Sequence, residues 1–146
     1  MTGARYTFEQ CNHLLATGHQ FHILHAANRF TQYGLIGAAW VSHNCVEQFV
    51  MSCRALGLGI EDAFLANLSR QLAVAQWTVL QGKLIPTEAN AACREVYRRN
   101  GFTQLRGEPG VWSRSLLTAF EVPRHVAITR TFGQKLSAPL QTAEDK

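Results

Sequence analysis

The stretch from Val46 to Leu72, V-E-Q-F-V-M-S-C-R-A-L-G-L-G-I-E-D-A-F-L-A-N-L-S-R-Q-L, constrains the fold more than any other part of the chain. An apolar run with strand character, Val46 to Cys53, meets a glycine-bearing turn, Arg54 to Gly59, which leads into an amphipathic helix. Ile60, Ala63, Phe64, Asn67, Leu68, Leu72 and Ala75 recur at the three/four spacing of one helical face. Strand, glycine turn and helix in this order present unpaired backbone N–H groups at a helix N-terminus, a ready site for an anion. Gly57 and Gly59 matter because a side chain there would block close approach of a ligand to the backbone.

The flanking sequence supplies a sheet for this unit. Thr7-Phe8-Glu9-Gln10 reads as a capping box that opens a helix to about Ala16, with Phe8, Cys11 and Leu15 buried and Gly18 ending it. Phe21–Ala27 reads as a strand, Thr31–Gly34 as a turn, Leu35–His43 as a second strand and Ser42–Asn44 as the next turn. After the helix, Trp77–Ile85 is β-rich, with Gly82 marking a bulge; it should run parallel to Val46–Cys53 through a right-handed crossover. Pro86-Thr87 opens a helix with Ala89, Ala92, Cys93 and Val96 buried, Arg94, Arg98 and Arg99 solvated, and Asn100-Gly101 as its stop. Phe102–Arg106 and Val111–Leu117 read as a closing hairpin, Val126–Phe132 as one more strand, and Gln134–Lys146 as a loose tail. The expected class is α/β (α+β): a mixed, mainly antiparallel sheet with a central parallel pair and flanking helices. A ligand belongs where that pair parts. Residues 1–117 form the expected domain and 118–146 a C-terminal extension.

Composition excludes several classes. With 47% apolar and 16% charged residues among 146, the chain is globular rather than disordered. Its longest apolar run, Leu35–Val41, is too short to cross a bilayer, and Met1–Tyr6 lacks the apolar core of a secretory signal, so a cytoplasmic location with no membrane partner is expected. The net charge of +4 comes without a Lys/Arg run of the kind that binds nucleic acid. Four cysteines at 11, 45, 53 and 93 show no metal-ligand spacing, and with a full core available they read as reduced and structural, with no metal site expected. His22 and His25 fall on opposite faces of their strand, which argues against a shared metal.

Two motifs carry a resemblance. Arg54-Ala55-Leu56-Gly57-Leu58-Gly59 resembles the [Q/R]-x-x-G-x-[G/A] loop of the GNAT acyltransferase superfamily. Asn90 to Phe102 resembles its second signature, N-x-x-A-x-x-x-Y-x-x-x-G-F. A closer likeness, over roughly Arg5 to Leu116, is to the GNAT-like C-terminal domain of FkbH-like proteins. It rests on Asn28-Arg29-Phe30, Gly34–Gly37, Phe49–Gly57, Gly59, Glu61 and Ile85–Asn90. Those proteins serve polyketide-type biosynthesis and load a glycerate-derived unit onto an acyl carrier protein, chemistry assigned to a separate domain with a D-x-D motif. No D-x-D occurs in this chain, and Thr31-Gln32-Tyr33 replaces the usual acidic turn, so glyceryl transfer does not carry over.

The resemblance implies an acyltransferase using coenzyme A, or a phosphopantetheine arm on an acyl carrier protein, with a small-molecule amine or hydroxyl as acceptor. Arg54, Leu56, Gly57, Leu58, Gly59 and Ile60 would cradle the phosphate. Phe49, Val50 and Met51 would offer backbone groups to the pantetheine arm as if it were an added strand. Tyr97 matches the tyrosine that protonates the departing thiolate, and Asn90 either opens its helix or contacts the cofactor. Glu47 is a candidate general base. Cys53 reads as a structural thiol rather than a nucleophile. The alternative class is a non-catalytic module that holds a carrier protein for a separate enzyme.

Overall fold

The computed structural model describes residues 1–131; the expectations for Phe132 and for the tail from Gln134 lie outside them. Its elements run α1 (Phe8–Ala16), β1 (Gln20–Ala27), β2 (Gln32–Ser42), β3 (Cys45–Met51), α2 (Ile60–Val74), β4 (Val79–Lys83), α3 (Val96–Arg99), β5 (Thr103–Gln104) and β6 (Val111–Ser115). Short 3₁₀ turns span Cys53–Ala55 and Glu88–Cys93. The strands form one six-stranded sheet in the order β1-β2-β3-β4-β6-β5. Every neighbouring pair is antiparallel except β3 and β4, which are parallel across the α2 crossover. This is the mixed sheet the sequence implies.

α2 supplies more of the core than any other single element. Ala63, Phe64, Leu65, Ala66, Leu68 and Leu72 are buried, and Phe64 packs on Phe49 of β3 with ring centroids 5.0 Å apart. Val41, Val46 and Leu80 from three successive strands complete the layer, joined by Val96, Tyr97 and Phe102 from the second helical region. Asn67 and Ile60, on the expected apolar face, are only half-buried.

Several local expectations are corrected. The capping box on α1 is present, with Gln10 N–H donating to Thr7 Oγ1 and Thr7 N–H to Gln10 Oε1. Yet α1 buries none of its residues, and Phe8 and Leu15 are 65% and 51% exposed, because the helix lies outside the main core. The turn between β1 and β2 is made by Asn28, whose Oδ1 accepts from the N–H groups of Phe30 and Thr31; Gln32–Gly34 already belong to β2. Pro86–Arg99 is not one helix. It is a 3₁₀ turn broken at Asn90 and then a single α-turn, so Ala89 and Ala92 are exposed and burial falls to Val96 and Tyr97. Residues 126–131 contain no strand.

Candidate functional site

β3 and β4 pair over only two residues, Cys45 with Gln81 and Val46 with Gly82. From Glu47 onward the two strands part. On its other side β3 stays paired with β2 as far as Met51, opposite Gly37. Among the described residues the β4-facing edge of Phe49–Met51 therefore has no neighbouring strand, which is what an added strand-like ligand requires. Phe49 itself is buried as core, whereas Val50 is half exposed.

At the end of β3 the chain turns through Cys53–Ala55 and enters α2. Cys53 lies in this turn and is exposed, so it neither ends the strand nor packs as a buried thiol. Arg54 is exposed, its Nε donating to Ser52 Oγ at 3.4 Å. Gly57 and Gly59 both adopt left-handed φ, +79° and +74°, which an L side chain resists. Gly59 is the N-cap of α2 and no side chain caps the first turn. Its orphan N–H groups are those an anion would satisfy. Glu61 and Asp62 of this turn face α3 instead, bonded to Arg99 Nη2 at 2.8 Å each. A Cβ on Gly57 would meet nothing within 4 Å, but one on Gly59 would lie 3.0 Å from Pro123. His125 Nε2, as donor, bonds the Leu58 carbonyl at 2.8 Å. The segment after β6 thus folds back against one side of the glycine turn and leaves the other open.

Tyr97 is carried to the parting of the strands by α3. Its ring lies against Gly82, where a Cβ would sit 2.2–2.4 Å from ring and hydroxyl atoms. Gly82 is therefore no bulge: its pairing with Val46 and Trp112 is regular, and the missing side chain makes room for the tyrosine. Tyr97 is fully buried between Phe102 and Trp112, and its hydroxyl has no hydrogen-bond partner among the described residues. An unpartnered buried hydroxyl costs about 1–3 kcal/mol. Burial first, then the nearby Cys45 and Glu47, push its pKa well above the ordinary phenol value, so the group holds its proton.

Glu47 stands beside this point but is paired with Lys83 of β4, and that hydrogen bond raises the lysine's pKa. Asn90 is committed within the chain: its Oδ1 accepts from Thr87 N–H and its Nδ2 donates to the carbonyls of Met1 and Ile85. The structure thus puts Glu47 and the edge of Phe49–Met51 on β3 where it leaves β4, the glycine turn at the end of that strand, and Tyr97 buried against Gly82 of β4. Gln48 and Arg99 carry no site motif in the sequence, yet both hold the surroundings of these residues in place. Gln48 is a buried polar side chain in an apolar strand, a signal that the sequence V-E-Q-F-V-M does carry. The partner of Arg99 lies 37–38 residues away and leaves no local trace. Among the described residues no cluster of three metal-ligating side chains occurs, and no helix is long and apolar enough to cross a membrane.

No protein-family model and no curated protein matches the chain. Among solved structures it is similar to a Desulfovibrio desulfuricans protein assigned to the GNAT family of acetyltransferases. The TM-score is 0.53 and the identity 16%, over 74% of this chain and 76% of that one. At that identity the likeness establishes a GNAT-like fold.

Proposed function

We propose that the protein is an acyltransferase that takes an acyl group from a pantetheine thioester and passes it to an amine or hydroxyl acceptor. The observation that carries this reading is the unpartnered hydroxyl of Tyr97, held under Gly82 where the parallel strands part. A phenol kept protonated at that point suits a proton donor to a leaving thiolate. The uncapped first turn of α2, with Arg54 and the left-handed glycines, suits the phosphate of the donor. The free edge of β3 suits its pantetheine arm, and a backbone N–H there would polarise the thioester carbonyl. Glu47 would accept the acceptor's proton once its pairing with Lys83 is relaxed.

Coenzyme A and a carrier-bound phosphopantetheine present the same arm and phosphate, so the donor is drawn from these two. A place in polyketide-type metabolism rests on the sequence resemblance alone. A second reading, a non-catalytic module that docks a carrier protein, is favoured by the sealed state of Tyr97 and the engaged carboxylate of Glu47. Incubation with acetyl-CoA, an acyl-loaded carrier protein and amine or hydroxyl acceptors, followed by mass spectrometry, separates them. Turnover that drops 10²–10⁴-fold in Tyr97→Phe supports the enzyme. Undiminished turnover in that variant removes the acid assignment, and carrier binding with no acyl movement supports the module.

A further inference from the structure

The opening between β3 and β4 is filled by the chain's own first residues. Along β4, the Met1 nitrogen donates to the Lys83 carbonyl at 2.5 Å and Ile85 N–H donates to the Met1 carbonyl at 3.1 Å. That is how a parallel strand pairs. On the β3 side a side chain does the work of a backbone. Gln48 Oε1 accepts from Thr2 N–H at 2.7 Å and Thr2 Oγ1 at 2.6 Å, while Gln48 Nε2 donates to the Ala4 carbonyl at 3.2 Å. Asn90 Nδ2 adds a bond to the Met1 carbonyl. The Met1 side chain is 5% exposed and belongs to the same core cluster as Val46, Leu80 and Tyr97.

Resting on the acyltransferase reading above, we propose that Met1–Ala4 is an intramolecular plug in the strand opening, and that a pantetheine ligand binds only when the plug has been displaced. Three observations support it beyond occupancy. The Met1 nitrogen is bonded one residue along β4 from Gly82, the glycine that Tyr97 lies against, so the plug seals the region of the orphan hydroxyl. Displacing it would give that hydroxyl a partner in water or ligand. Second, the contacts to Gln48 are all hydrogen bonds, which water or a ligand amide can replace at little net cost. Third, the arm behind the plug is loosely held. Gly3 has φ +72° and is exposed, the following helix α1 buries none of its residues, and Tyr6 between them, itself 38% exposed, meets the core only edge-on at Trp40 among the described residues.

A ligand that binds only the open form has an apparent affinity reduced by the open fraction. Coenzyme A binding, measured by titration calorimetry, is compared for the full chain, a form lacking residues 1–4, and Thr2→Pro. The proline removes the N–H and hydroxyl that bond Gln48 and leaves Met1 and every proposed ligand contact in place; it carries the test if the shortened form does not fold. Both variants are expected to bind coenzyme A about tenfold or more tightly than the full chain. In the full chain, the Thr2 amide, followed by NMR, should exchange faster once coenzyme A is added. Equal or weaker binding by the folded variants, or Thr2 protection unchanged in the bound state, overturns the plug while leaving the site reading standing. Absence of binding to all three forms overturns the site reading, and the plug with it.

Discussion

Tyr97 and Gly82 are one feature of the molecule divided between two elements. The tyrosine can lie flat against β4 only because residue 82 has no Cβ. Gly82→Ala should therefore destabilise by about 3 kcal/mol, the upper range for overpacking, since the blocked atoms belong to a rigid buried ring. A urea titration reads this directly, and the loss should shrink in a Tyr97→Leu background, where the obstructing ring is gone. Tyr97→Phe should behave in the opposite way. Removing a hydroxyl that has no partner leaves stability unchanged or raises it by about 1 kcal/mol. Lower turnover with equal or higher thermal stability would mark the hydroxyl as functional rather than structural. The sequence supplies both residues, the tyrosine through a recurring motif. Their contact was not legible, because the 14 residues between them hide which strand residue the ring meets, and a glycine inside a strand looks like a bulge from sequence alone.

Among the elements, the N-terminal turn of α2 and the C-terminal turn of α3 are clasped by one arginine. Arg99 Nη2 reaches both Glu61 Oε1 and Asp62 Oδ1, and Asn100 Nδ2 bonds Asp62 Oδ1 at 2.6 Å. Glu61 is 2% exposed, and its second oxygen, Oε2, has no partner among the described residues. Arg99→Ala would strand that carboxylate in the core. The expected cost is about 2–3 kcal/mol, below the 3–5 of a fully buried pair because Arg99 itself is half exposed. Chemical denaturation measures it, and Arg99→Lys should recover only part, as an ammonium is more strongly hydrated than a guanidinium and loses more on approaching a buried carboxylate. Because the clasp fixes the helix whose N-terminus is the proposed phosphate cradle, Arg99→Ala should also weaken coenzyme A binding. Arg99 looked like one of three solvated arginines on a helix face. Arg98 fits that description, paired with exposed Glu95. Capping chemistry, by contrast, was plain in the sequence: Thr7 and Gln10 form their box although α1 adds nothing to the core. Hydrogen bonds three residues apart are local; burial is not.

For the molecule as a whole, two buried acids link stability to alkaline pH. Burial, then the Glu47 charge, raise the Cys45 pKa from 9.0 to about 11, and Tyr97 is raised further above its own ordinary value. Both folded pKa values exceed the unfolded ones, so the folded state holds these protons more tightly. The stability they contribute is fully present below pH 9 and is lost as pH rises through about 11. For Cys45 a shift of this size corresponds to something on the order of 2–3 kcal/mol. Melting temperature should therefore be flat with respect to these groups at neutral pH and fall steeply above about pH 9–10; Cys45→Ala should flatten the first part of that fall. A fall of the same size and position in Cys45→Ala would exclude the thiol as its source.

By itself the sequence determined the strand–glycine turn–helix unit, the parallel pair it implies and the mixed sheet around it. Each rests on short-range rules: alternation in a strand, periodicity in a helix, the left-handed φ that Gly57 and Gly59 tolerate. Only the tertiary structure decided what fills the opening between β3 and β4. Met1 meets Lys83 across 82 positions and Thr2 meets Gln48 across 46. Contacts at that separation follow from the packing of the whole sheet, and no pattern within either segment encodes them.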